Sequence, residues 1–264
     1  MNDKHRRQQR PAPVEEVEGQ LEGRNALTEA LKSGRTIDKV FIAAGETDRG
    51  LQRLAAQAKE AGAVVVPVDR RKLDAMSVTH AHQGVITQAA AHEYATIADI
   101  LQEARSRGEE PLIVICDELT DPHNLGAILR SAECAGAHGV IIPKRRAVGL
   151  TAVVAKASAG AVEYMKVARV TNITSAIEEL KKQGVWIFGT AAEGSIPMYQ
   201  ADLKGAAAIV IGSEGDGMSR LVQRSCDVTV HIPMKGRITS LNASAAASIL
   251  LYEAVRQRIG QEGV

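Results

Sequence analysis

Ile232-Pro233-Met234-Lys235-Gly236-Arg237-Ile238-Thr239-Ser240-Leu241-Asn242-Ala243-Ser244-Ala245-Ala246-Ala247 is the stretch on which the reading of this chain turns. A strand-like run, Val228 to Ile232, stops at a proline. A polar, Gly-bearing loop follows, and Asn242 then opens a helix of almost wholly small residues. A bare fold gains nothing from so many Ala and Ser on one helix. Small side chains let another backbone or a flat ligand come close, so the segment reads as packing surface and binding loop at once.

Working back from it, the same punctuation recurs. Val185 to Gly189 is a strand that runs into Thr190-Ala191-Ala192-Glu193-Gly194, and Ala208 to Gly212 runs into Ser213-Glu214-Gly215-Asp216-Gly217. Glycine directly after a strand lets backbone amides approach a ligand. Upstream, Leu112 to Cys116 and Gly139 to Pro143 read as further strands, with helices at Leu125 to Ala135 and Ile173 to Gln183. Continuous apolar strands alternating with helices predict an α/β domain whose mostly parallel sheet is covered on both faces. Ligands of such sheets bind outside the carboxyl ends of the strands. None of the loops fits G-x-G-x-x-G or G-x-x-x-x-G-K-[ST], so the usual dinucleotide and NTP fingerprints are missing. Taken alone, the pattern suggests an open doubly wound sheet.

Two further loops carry chemistry. Asp121-Pro122-His123-Asn124 follows the first of these strands, with Asp121 placed to cap a helix and Pro122 in its first turn. Arg130 sits on that otherwise apolar helix, either as a paired structural arginine or as a guanidinium aimed at a phosphate. Lys144-Arg145-Arg146 lies just past a strand on a Gly-bearing loop, either as a solvated face or as a phosphate contact.

Residues 16–92 read as a separate small α/β/α unit with helices at Gly23 to Ser33 and Leu51 to Ala61. A polar, Arg-rich stretch, residues 1–15, precedes it as a flexible basic tail. Residues 93–110 hold a short helix and the charged segment Ser106 to Pro111, which marks a linker, and residues 111–264 form the larger domain. The 264 residues are 45% hydrophobic but only 3% aromatic, so the core must be built from Val, Ile, Leu and Ala. A net charge of +1 gives no global nucleic-acid signature, so any basic patch is local. No apolar run reaches the ~18–20 residues a bilayer needs, and the charged N-terminus has no apolar core behind it. Cys116, Cys134 and Cys226 are far apart and read as reduced thiols of a cytoplasmic protein. Neither they nor His80 and His82 have metal-ligand spacing, so no metal is expected.

Three segments, DPHNLGAILRSAECAG (from Asp121), IGSEGDG (Ile211 to Gly217) and IPMKGRITSLNASAAASILLYEAVRQR (from Ile232), resemble the SpoU, or TrmH, family of RNA ribose 2′-O-methyltransferases, in family order over residues 111 to 260. LEGRNALTEAL (Leu21 to Leu31) and HQGV (His82 to Val85) are similar to the small substrate-binding domain of its ribosomal-RNA branch, itself like a ribosomal-protein RNA-binding module. The resemblance implies a SPOUT-type domain with a deep trefoil knot, a homodimer, and S-adenosylmethionine as methyl donor to a ribose 2′-hydroxyl, a guanosine of 23S rRNA. It assigns Thr190, Gly212, Ile232 and Leu241 to the cofactor and Asn124, Arg130, Glu214, Ser240 and Asn242 to catalysis. It also places Arg24, Lys144, Arg145 and Arg146 against RNA. A guanidinium stays protonated at ordinary pH, so an electrostatic role suits Arg130 better than that of a base. The rival readings are a tRNA substrate, a non-catalytic RNA-binding assembly factor, and a small-molecule enzyme using a nucleotide cofactor.

Overall fold

The computed structural model describes residues 19–45, 47–191 and 196–259. The basic tail expected over residues 1–15 lies outside them, as do Ala192, Glu193 and Gly194 of the first loop. The chain divides into two compact units, with the break between Ala89 and Ala90.

The first unit alternates strands and helices: β1 (Gln20–Glu22), α1 (Arg24–Lys32), β2 (Ile37–Ala43), α2 (Arg49–Glu60), β3 (Val64–Val68), α3 (Arg70–Met76) and β4 (Val85–Ala89). Its sheet order is β1-β4-β2-β3. Leu27, Val40, Leu51, Ala58 and Val85 form the core on one face, and Leu73, Val68 and Ile86 on the other. The sequence suggests a buried β3, yet Val64 to Val66 are half-buried. β3 is the edge strand, which is also why it tolerates Pro67, a residue that cannot donate to a ladder. Glu22 ends β1 as an anchor for the segment before β4: its carboxylate accepts from Ser77 Oγ at 2.6 Å, Val78 N at 2.6 Å, and Thr79 N at 3.2 Å and Oγ1 at 2.5 Å. Burial alone would raise its pKa, but these donors and Gln20 hold it at about 2.

The second unit begins with α4 (Ile97–Arg107), then β5 (Leu112–Cys116), α5 (Pro122–Cys134), β6 (Gly139–Pro143), α6 (Ala152–Ala157), β7 (Val167–Val170), α7 (Ile173–Lys182) and β8 (Trp186–Thr190). It closes with β9 (Ile196–Pro197), β10 (Ala207–Ile211), α8 (Arg220–Ser225), β11 (Val228–His231) and α9 (Ala243–Ile259). The order is β7-β6-β5-β10-β8-β11-β9, and every pairing is parallel. β5 shows why its sequence is unbroken apolar: all five residues are buried. Leu112, Val114 and Cys116 face a core that holds Leu125, Ile128, Leu250 and Leu251 of α5 and α9. Ile113 and Ile115 face Ile100, Ile177 and Val222 of α4, α7 and α8. β10 lies between β5 and β8, two strands that precede it in the chain.

Within residues 93–110, expected as a linker, α4 instead packs into this unit's core. Thr96 and Asp99 form a reciprocal N-terminal cap and Gly108 a left-handed C-cap, while Ile97, Ile100, Leu101 and Ala104 are buried. The charged stretch that suggested a linker is the solvent-facing turn between α4 and β5. Among the small residues of α9, Ala243 and Ala247 are buried in their own unit's core, while Ser244, Ala245 and Ala246 are half-buried. Near its end α9 is fastened by Arg258, whose guanidinium donates to four carbonyls: Glu110 at 2.7 Å, Pro111 at 3.0 Å, Leu203 at 3.1 Å and Gly205 at 2.7 Å.

Candidate functional site

Because the large sheet is parallel, β8, β10 and β11 deliver their following loops to one edge, and in this order they are neighbours. Thr190 ends β8 and donates from Oγ1 to Val210 O of β10 at 2.7 Å, holding two of the strand ends together. After β10 the chain folds on itself, with Ser213 N bonded to Gly217 O and Gly217 N to Ser213 O, both at 3.0 Å. A Cβ on Gly212 would lie 2.2 Å from the Gly217 carbonyl carbon, so no side chain fits there. Asp117, buried at the end of β5, accepts from Ser219 N at 2.7 Å and fixes the far end of this loop.

These loops enclose a cavity of about 310 Å³. Thr190, Gly212, Ile232 and Leu241, the four positions assigned to a cofactor, all line it, as do Glu214 and Ser240. Asp216, Met218, Gln223 and Met234 line it too, and the sequence did not single them out. Met218 and Asp216 adjoin the recognisable glycines. Gln223 belongs to α8, and only the fold brings it to the site.

Three side chains meet at the cavity's rim. Glu214 Oε1 accepts from Asn124 Nδ2 at 2.7 Å and from Asn242 Nδ2 at 2.6 Å. Asn242 Nδ2 also lies 2.9 Å from Asn124 Oδ1. Local chemistry explains each placement. Asp121 caps α5 by accepting from His123 N at 2.9 Å, with Pro122 in the first turn, which sets Asn124 one residue further in. Asn242 caps α9 through Oδ1, which accepts from Ser244 N at 2.9 Å and Ala245 N at 3.2 Å. That bond fixes its amide so that Nδ2 is left for Glu214. An ionised carboxylate accepting two amide donors is a charge-assisted arrangement, and it ties the starts of α5 and α9 to the β10 loop.

Arg130 does not join this group. It is six residues beyond Asn124, about 240° round the helix. It is exposed on α5 and does not line the cavity. The basic loop after β6 is on the same sheet edge. Arg145 and Arg146 are exposed, and Arg146, at φ 57°, pairs with Glu118 at 3.0 Å. In the first unit Arg24 pairs with Asp48 at 2.9 Å. Among the described residues no group of His, Cys, Asp and Glu is arranged to hold a metal ion, and no helix is long and apolar enough to cross a membrane.

Comparison with known proteins gives the same outline. Residues 111–252 match the model of the SpoU rRNA Methylase family, and residues 20–95 match that of RNA 2′-O ribose methyltransferase substrate binding. A putative TrmH family tRNA/rRNA methyltransferase of Bacillus subtilis is 49% identical over 89% of this chain and 94% of its own length. A 23S rRNA (guanosine-2′-O-)-methyltransferase of Ralstonia nicotianae is 44% identical over 90% and 95%. Among solved structures, the SpoU methyltransferase AviRb of Streptomyces viridochromogenes in complex with AdoMet superposes with a TM-score of 0.59, at 25% identity and 92% coverage of both chains. An AdoMet-bound rRNA methyltransferase of Sinorhizobium meliloti gives 0.57, at 26% identity over 90% of this chain and 86% of that one.

Proposed function

The chain belongs to the SpoU rRNA methylase family and is an S-adenosylmethionine-dependent RNA methyltransferase, and from that premise we propose that it methylates the ribose 2′-hydroxyl of a guanosine in 23S rRNA. The observation that carries the assignment is the Asn124–Glu214–Asn242 cluster at the rim of a glycine-walled cavity. The name of the Ralstonia relative supports the guanosine. The two family matches support a division of labour in which the first unit holds RNA and the second transfers the methyl group. The absence of a membrane-crossing helix among the described residues suits an enzyme meeting rRNA in the cytoplasm.

The cavity fits the cofactor: Gly212, Gly215 and Gly217 bring backbone to its wall, and Thr190, Ile232 and Leu241 supply partly apolar walls. When bound, S-adenosylmethionine supplies a methyl group on a positively charged sulfur, already a strong electrophile. The remaining difficulty is the 2′-hydroxyl, a weak acid that must lose its proton as its oxygen takes the methyl. Asn124, Asn242 and Ser240 would orient the ribose at the rim, and Glu214 would hold the two amides in place. The positive charge needed by the developing oxyanion would come from Arg130.

Arg130 lies off its own chain's cavity, and this supports a homodimer. On α9, Ala245, Ile249, Tyr252 and Ile259 recur at steps of four, three and seven residues, one helix face. Ile249, Tyr252 and Ile259 are exposed at 36%, 52% and 56%. α5 packs beside this face through Ser131, whose Oγ is 2.8 Å from Ser248 Oγ. A second copy covering the face would carry Arg130 towards a reacting ribose. The threading of the chain into a trefoil knot is part of the same proposal, supported by the insertion of β10 between two earlier strands.

The test is tritiated methyl transfer from S-adenosylmethionine to unmodified 23S rRNA and, separately, to tRNA. The modified ribose is then mapped by reverse-transcription stops at low dNTP. A stop at a 23S guanosine is the expected result. Transfer to tRNA alone would replace the substrate, and transfer to neither would overturn the reading.

A further inference from the structure

In the first unit β1 and β2 each run antiparallel to β4, and β3 runs parallel to β2. The three strands β1, β2 and β3 therefore point the same way, and the helix after each begins at the carboxyl edge of the small sheet. Each of those helices opens on an arginine: Arg24, Arg49 and Arg70, the last followed by Arg71 and Lys72. None has an acidic residue in its first turn. Cations at that end of a helix oppose its dipole, typically by about 0.3–1 kcal/mol each. Fold stability does not account for them.

Among the described residues, the carboxylates at this edge are already engaged. Asp48 takes Arg24 at 2.9 Å and caps α2 through Leu51 N. Asp69 accepts from Arg71 N at 2.8 Å, and Asp74 is 2.9 Å from His82 Nε2. Glu22 is consumed by Ser77, Val78 and Thr79. Arg49, Arg53, Arg70, Arg71 and Lys72 are all exposed, and among the described residues none has a carboxylate partner. Arg49 and Arg70 to Lys72 open the helices that follow β2 and β3, neighbouring strands about 4.8 Å apart, so these cations form one cluster.

We propose that this edge, through Arg49, Arg70, Arg71 and Lys72, is an RNA phosphate-backbone grip that binds without reading sequence. It rests on the RNA-methyltransferase reading above and adds the surface that reading leaves open. Spacing and charge without hydrogen-bond specificity suit a backbone better than bases.

The test uses the full chain with Arg49→Glu, Arg70→Glu and Arg71→Glu combined. A second triple variant, Lys32→Glu, Arg35→Glu and Lys59→Glu, reverses three cations at the opposite edge. Affinity for a 23S rRNA fragment is measured by fluorescence anisotropy across a KCl series, with a circular-dichroism melt as the check that the first unit folds and cofactor affinity by calorimetry as the check on the second. The carboxyl-edge variant should lose at least tenfold in RNA affinity, and the slope of log affinity against log salt should fall by about 2–3. The opposite-edge variant should keep the wild-type slope, and both should bind S-adenosylmethionine as the wild type does. A carboxyl-edge variant with wild-type slope, or equal losses in both variants, overturns the grip alone. A wild-type protein that methylates no RNA would sink the activity, and the grip with it.

Discussion

At the scale of single residues, the site divides into positions whose chemistry is written in the chain and positions that only folding reveals. Asn124, Glu214 and Asn242 are legible through the family resemblance of their segments, while a cap, a proline and a glycine turn explain how all three arrive at one cluster. Gln223 carries no local signal, since its helix meets the cavity through tertiary packing. Arg130 is legible as a functional residue but not in its placement, because six helical steps turn it away from Asn124. Arg130→Ala should therefore leave cofactor affinity unchanged while lowering single-turnover methyl transfer by about 100-fold or more, the scale of losing one oxyanion donor. Calorimetry beside rapid-quench kinetics separates the two, and undiminished transfer would remove Arg130 from the reaction. Gly212→Val should behave in the opposite way. Its side chain would have to enter the space of the Gly217 and Met218 backbone, so cofactor affinity should drop below detection by calorimetry, and an unchanged Kd would count against this cavity.

At the scale of elements, most helices and strands follow from periodicity and capping, and the departures have definable causes. The stretch from Ser106 to Pro111 reads as a linker because its charge is visible while the burial of Ile100 beneath β5 is not. The slot taken by β10 is hidden because AAIVI is equally apolar in any central position. The element that stands out energetically is the segment from Ser77 to Thr79, pinned by one carboxylate. Glu22 has its folded pKa lowered to about 2, against 4.5 for the free group. Its contribution is thus complete above about pH 4.5 and is lost as pH falls through about 2. Glu22→Gln should destabilise the first unit by about 1–3 kcal/mol at neutral pH. The gap between variant and wild type should close as the solution is acidified from about pH 4.5 towards 2. Scanning calorimetry over that range checks the sign, and a gap that widened on acidification would refute it.

At the scale of the molecule, the proposed homodimer through the apolar stripe on α9 would make assembly a condition of activity. Ile249→Asp combined with Tyr252→Asp should convert the protein from dimer to monomer in light scattering, and methyl transfer should vanish with the dimer; a dimeric, active variant would place the interface elsewhere. The position of α9 has a further consequence, one of timing. The cavity's last wall, from Thr239 to Leu250, and the Arg258 clamp that secures it are made after every strand of the sheet. A nascent chain still short of them has a sheet but no closed cavity. Emerging from a ribosome, it is surrounded by the very class of RNA its family modifies, yet it stays inert until α9 has been released and docked. Competence to bind the cofactor is thus acquired only once α9 has been made, and the order of the elements acts as a clock on the enzyme.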